Sequence, residues 1–168
     1  MENKIRLYAL PYSDIRTYLF AMMFIAGNIL LPQLCHLVPQ GGVTLLPIYF
    51  FTLVGAYKYG WKVGLLTAAS SPLLNSLLFG MPAVAVLPAI LLKSTLLAVI
   101  AGIMAQKYHR VTLLSLLCVV LSYQILGTLG EWAMTNSLTV ALQDFRIGIP
   151  GMALQVLGGY FVIKNIIR

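Results

Sequence analysis

Residues Ala83–Ala105 read AVAVLPAILLKSTLLAVIAGIMA. The run is apolar except for Lys93, Ser94 and Thr95. Its length matches the roughly 20 apolar residues that a helix needs to cross the hydrocarbon of a bilayer. It lacks the apolar/polar alternation of a barrel strand. In lipid every backbone N–H and C=O must find a partner within the structure, so a continuous run of this kind predicts a membrane helix.

The runs on either side repeat the pattern. Thr17–Leu37, Trp61–Phe79, Val111–Met134 and Ile147–Ile167 each have spanning length. Thr44–Tyr57 is shorter, which predicts a segment that is tilted or buried inside the bundle. Composition agrees. The chain has 168 residues, 60% hydrophobic and only 9% charged, with a mean hydropathy of +0.92. A soluble domain is about 25% charged, so too few charges exist here to cover a water-facing surface. The expectation is an all-α integral membrane protein, a single domain of six transmembrane helices over residues 1–168.

Charge orients the bundle. Lys4, Arg6 and Arg16 precede the first run, Lys58 and Lys62 flank the turn after the second, Lys107 and Arg110 follow the fourth, and Lys164 and Arg168 close the chain. These are nine of the eleven basic residues, all on one side of a six-span topology. Cytoplasmic loops carry the excess of Lys and Arg, so both the N and C termini are predicted to be cytoplasmic. The net charge of +7 is spread over helix ends and forms no stripe, which argues against nucleic acid as a partner. Cys35 and Cys118 fall near opposite faces and are read as unpaired apolar fillers. The basic start leads into a run too long for a cleavable signal peptide, and no small-residue cleavage site follows it.

An ionisable or amide side chain inside a span is a functional candidate by default. Lys93 is about ten residues into its run, roughly 15 Å deep at the rise of a helix. It is read as a cation that holds an anionic or polar part of a ligand, the alternative being a structural lysine paired with a carbonyl or a kinked helix. Gln124 and Glu131 are two turns apart on one face of the fifth run. Gln155 lies at a depth similar to Lys93. Asn75 is in the outer half of the third run, and Trp132 and Asn136 are at the outer end of the fifth. His36 ends the first. Together these polar groups predict an outward-opening pocket. Trp132 also suits an interfacial belt, Glu131 also suits a solvated helix end, and Gln124 and Gln155 also suit hydrogen bonds between helices. Asp144 and Arg146 are expected to pair with each other or to face water.

No nucleophile–base pair, nucleotide loop or Cys/His cluster is present, so no enzyme, cofactor or metal is expected. Ser70-Ser71-Pro72 reads as a helix kink in which the hydroxyls satisfy freed backbone groups.

An ordered set of motifs lies between Leu46 and Met104: Leu46-Pro47, the glycines Gly55, Gly60 and Gly64, Ser71-Pro72-Leu73-Leu74, Gly80-Met81-Pro82, and the small-residue segment Ala98–Gly102. In this order the motifs resemble the substrate-binding S components of energy-coupling factor (ECF) vitamin transporters. The resemblance implies a multi-pass protein of the bacterial cytoplasmic (inner) membrane that captures a vitamin-like small molecule from outside. Its implied partners are a transmembrane coupling protein and two ATPase subunits. Where the family carries an Ala-x-x-x-Ala docking motif on the first helix, this chain has Ala21, Ala26 and Gly27. Where related chains often carry an acid in the fourth helix, it has Lys93, which suggests a ligand bearing a carboxylate. A non-transport scaffold of the cell envelope and an enzyme acting on lipid are the competing readings.

Overall fold

The structure is a computed structural model and describes residues 7–166. Lys4, Arg6, Arg168 and Ile167, used above to set topology and the last run, lie outside the described residues. The elements are α1 (Ile15–Cys35), α2 (Gly41–Leu45), a 3-10 turn (Pro47–Tyr49), α3 (Phe50–Tyr59), α4 (Trp61–Phe79), α5 (Leu87–Tyr108), α6 (Leu113–Thr135), α7 (Leu138–Ala141), α8 (Gln143–Ile147) and α9 (Ile149–Phe161). A π-helical turn at Val162–Ile166 continues α9. No strand occurs among the described residues. Among the described residues three helices, α1, α5 and α6, are long and apolar enough to cross a membrane.

Local chemistry explains where the helices begin. Asp14 caps α1 by accepting from the Arg16 N–H at 2.9 Å, and the Arg16 guanidinium closes on the same carboxylate at 2.7 Å. That side-chain pairing holds the Asp14 carboxyl below the usual carboxylate range. Helix α5 starts at Leu87, four residues later than Ala83, because Ala83–Val86 forms a turn and Pro88 takes the first turn of the helix. Proline costs little there, since its missing N–H would have no helical acceptor. Thr112 caps α6 by accepting from Ser115 N–H at 3.0 Å.

The short second run is broken in two. Leu46 turns left-handed at φ 47°, between α2 and the Pro47 turn. A residue before proline is driven away from the α region, so Pro47 ends α2 and restarts the chain as the 3-10 turn that leads into α3. The fold therefore has a shorter, almost wholly buried α3, whose residues Leu53, Val54, Ala56 and Tyr57 are fully enclosed.

Small residues bring α3, α4 and α5 together. A Cβ on Gly64 would collide with Ala56 Cβ and come within 3.1 Å of Ala98 Cβ. A Cβ on Gly102 would stand 2.6 Å from the Trp61 backbone nitrogen. Close approach of this kind replaces the hydrophobic driving force that helices lose in an apolar solvent. Gly60, at φ 103°, makes the tight turn between α3 and α4. Pro72 sits inside α4, where the Ser71 hydroxyl donates to the Thr67 carbonyl at 2.7 Å.

The helices alternate in direction, so the loops divide between two ends. At one end Tyr8 N–H donates to Lys58 O at 2.8 Å, Leu10 N–H to Tyr59 O at 3.1 Å, and the Tyr57 hydroxyl to Arg110 O at 2.8 Å. Arg16, Lys58, Lys62, Lys107, Arg110 and Lys164 belong to this end, and Arg146 to the other. Large apolar side chains cover the outside, with Leu77 82% and Leu114 69% exposed.

Candidate binding cavity

The end away from the basic cluster is hollow. A cavity of about 320 Å³ opens there, walled by the last turn of α1, the α2–Pro47 segment, the connection into α5, the end of α6, and α7–α8. Its volume is at the lower end of small-molecule sites.

Lys93 reaches the cavity wall from α5. Gly127 on α6 makes room for it, since a Cβ there would strike Lys93 Cγ; Gly130 does the same for Leu92. The lysine stem thus lies across a notch in the neighbouring helix, which directs the ammonium toward the end of α6. There it meets Glu131 Oε2 at 2.6 Å and Asp144 Oδ2 at 2.8 Å. Lys93 is 3% exposed, and both acids are 9% exposed. Buried charges of this kind persist only when paired.

Asp144 therefore does not pair with Arg146 or face water, as the sequence suggested. Helix α8 turns it inward onto a lysine 51 residues away, while Arg146 stays exposed. One signal was available in the sequence. Of the four acidic residues, only Glu131 and Asp144 fall beyond the midplane on the side of the buried lysine.

The remaining candidates separate into two groups. Lys93, Glu131, Asn75 and His36 line the cavity. His36 caps the C-terminus of α1 and lies against Gly42, where a Cβ would be 2.6 Å from its Nε2. Asn75 donates from Nδ2 to the carbonyls of Asn28 and Ser71, each at 2.9 Å, and so ties α4 to α1. Gln124 and Gln155 lie outside the cavity lining, fully buried and bridged by Tyr123. The Tyr123 hydroxyl donates to Gln155 Oε1 at 2.9 Å and accepts from Gln124 Nε2 at 3.1 Å. Gln124 Oε1, Thr128 Oγ1 and Gln155 Nε2 have no hydrogen-bond partner among the described residues. Trp132 is 46% exposed on the outer surface. Asn136 is exposed and caps α6 in a left-handed conformation at φ 52°.

Of the small residues on α1, Ala21 is buried, Gly27 packs against the Phe51 ring, and Ala26 is exposed. Tyr49 was not anticipated. It lines the cavity from the 3-10 turn, with its ring 5.5 Å from that of Tyr123. Its position follows from the break at Pro47, which apolar periodicity does not reveal. Both cysteines are free. No group of three or more His, Cys, Asp or Glu suited to a metal ion occurs among the described residues.

Comparison with protein-family models, curated proteins and solved structures finds no match.

Proposed function

We propose that the chain is a membrane capture protein. It binds a vitamin-like small molecule in the cavity and hands it to an ATP-driven coupling module of the energy-coupling factor type. The observation that carries the reading is the cavity of about 320 Å³, which lies at the end of the bundle opposite the basic residues. By the positive-inside rule that end faces outward, where a capture protein needs its mouth. Six membrane passes are assigned to α1, the α2–α3 segment, α4, α5, α6 and α9, with both termini in the cytoplasm of a bacterial cell. The ordered motifs between Leu46 and Met104 support the same reading.

The site is built for binding rather than turnover. Its ionised groups Lys93, Glu131 and Asp144 are engaged with one another, and its other walls are largely apolar. Transport energy would come from partner ATPases, with Ala26 on the exposed face of α1 available to a coupling protein.

Native mass spectrometry of the gently extracted protein tests the capture role. The expected result is a co-purified small molecule, or an adduct after incubation with a panel of vitamins. An empty spectrum in both experiments would transfer the reading to a scaffold protein, whose polar residues only join helices.

A further inference from the structure

The charges around the cavity carry more than a capture role. One ammonium and two carboxylates meet in its wall, which leaves one net negative charge. The side chain of Lys93 is 4% exposed, against 11% for Glu131 and 13% for Asp144, so the acidic part of the cluster is the part that remains open. Each carboxylate binds the ammonium through one oxygen, Oε2 or Oδ2. A carboxylate accepts several hydrogen bonds, so Glu131 Oε1 and Asp144 Oδ1 still have capacity. The other titratable groups in the lining are His36 and Tyr49; Arg146, on the same short helix as Asp144, is exposed and outside it.

We propose that this cavity selects a small organic cation: an ammonium, amidinium or guanidinium group on an apolar body. The cation bridges the free oxygens of Glu131 and Asp144 and completes an alternating arrangement of charge. The apolar body packs on Val86, Ile90 and Met81, with the Tyr49 ring beside it in the lining. A ligand carboxylate, which Lys93 alone would suggest, must either displace one of these acids from the ammonium or lie next to both. Either route opposes like charges in a poorly solvated site.

The inference rests on the capture reading for its biological meaning, but its test is separate. Benzamidinium, benzamide and benzoate have nearly the same shape and differ in charge. Titration calorimetry of the full chain in detergent compares their affinities. Benzamidinium is expected to bind on the order of tenfold or more tighter than benzoate, the direction that like-charge repulsion dictates. The double variant Glu131→Gln/Asp144→Asn frees Lys93 and should reverse the order. The triple variant Lys93→Met/Glu131→Gln/Asp144→Asn holds no charge in the cluster, so its folding does not depend on an unpaired ion. It should bind benzamidinium and benzoate alike.

Benzoate binding as tight as benzamidinium in the natural chain, no binding by any of the three, or a preference unchanged in the triple variant would each overturn the proposal. A co-purified anion would also overturn it and leave capture standing. Empty mass spectra together with a clear preference for benzamidinium would remove capture of a vitamin and leave the charge selectivity intact.

Discussion

The two ends of the bundle solve different problems with the same kind of helix. At the basic end, the segment before α1 lies across the α3–α4 turn. Phe20 and Tyr59 stack at 3.8 Å, and backbone bonds tie Tyr8 and Leu10 to Lys58 and Tyr59. At the other end the helices part, and short helices and a proline-broken segment surround open space. The first end is held by close packing around small residues and by hydrogen bonds to backbone carbonyls, the second by side-chain ion pairs and amide hydrogen bonds between elements distant in sequence. Packing leaves no room for a ligand, whereas polar links hold walls at a distance. A binding site in such a bundle belongs where the polar links are.

The sharpest way to break this contrast is to remove the cation at the hollow end. Lys93→Met leaves Glu131 and Asp144 together without their shared partner, and loss of one member of a buried ion pair costs about 3–5 kcal/mol. Thermal or denaturant unfolding in detergent reads the loss. A change below about 1 kcal/mol, the range of a surface pair, would mean that the ion pairs do not hold that end.

The packed side is tested by Gly102→Val. The added atoms meet the Trp61 backbone, with its nitrogen 2.6 Å from the first carbon, and backbone cannot swing aside. Overpacking of this kind costs about 1–3 kcal/mol, and the same unfolding assay should show it. Benzamidinium affinity should change little, because the contact is away from the cavity.

Asn28→Ala sharpens the comparison at the junction of α1, α3 and α4. Asn28 donates to Thr52 Oγ1 at 3.0 Å and Ser71 Oγ at 3.3 Å, and accepts from Phe51 N–H at 3.2 Å. That last bond satisfies an N–H in the first turn of α3 that has no acceptor within its helix. A loss of about 1 kcal/mol is expected, since interhelical hydrogen bonds in membranes are individually modest. A loss near zero would show that the Thr52 and Ser71 hydroxyls re-pair without it. The smallest effect is expected at Trp132→Ala. Its ring is 46% exposed and outside the cavity, so stability should move by less than about 0.5 kcal/mol and calorimetric binding should be unchanged. A large drop in binding would extend the site to the outer end of α6.

Much of this organisation was legible in the residues. The apolar runs locate the long helices: Trp61–Phe79 coincides with α4, and Val111–Met134 differs from α6 by one or two residues at each end. Lys93 and Glu131 stood out as ionisable groups in apolar surroundings, and both line the cavity. The break at Leu46 was not read, although Pro47 was in view, because hydropathy averages over a proline. Gln124 and Gln155 were read from depth and a shared face either as pocket residues or as hydrogen bonds between helices, and the second reading describes the Tyr123–Gln155 bond between α6 and α9. Depth along a helix does not tell which neighbour a side chain faces, and here both face Tyr123.

The sequence by itself determined an apolar, helical chain with long runs able to cross a membrane, and an uneven distribution of basic residues. These properties depend on the local run of side chains and on the need to pair every backbone group in an apolar solvent. Only the tertiary structure decided that Asp144, 51 residues from Lys93, turns inward from a five-residue helix and makes the cavity acidic rather than basic. An ion pair is a contact in space, and local sequence pattern carries no record of which loop folds back over which helix.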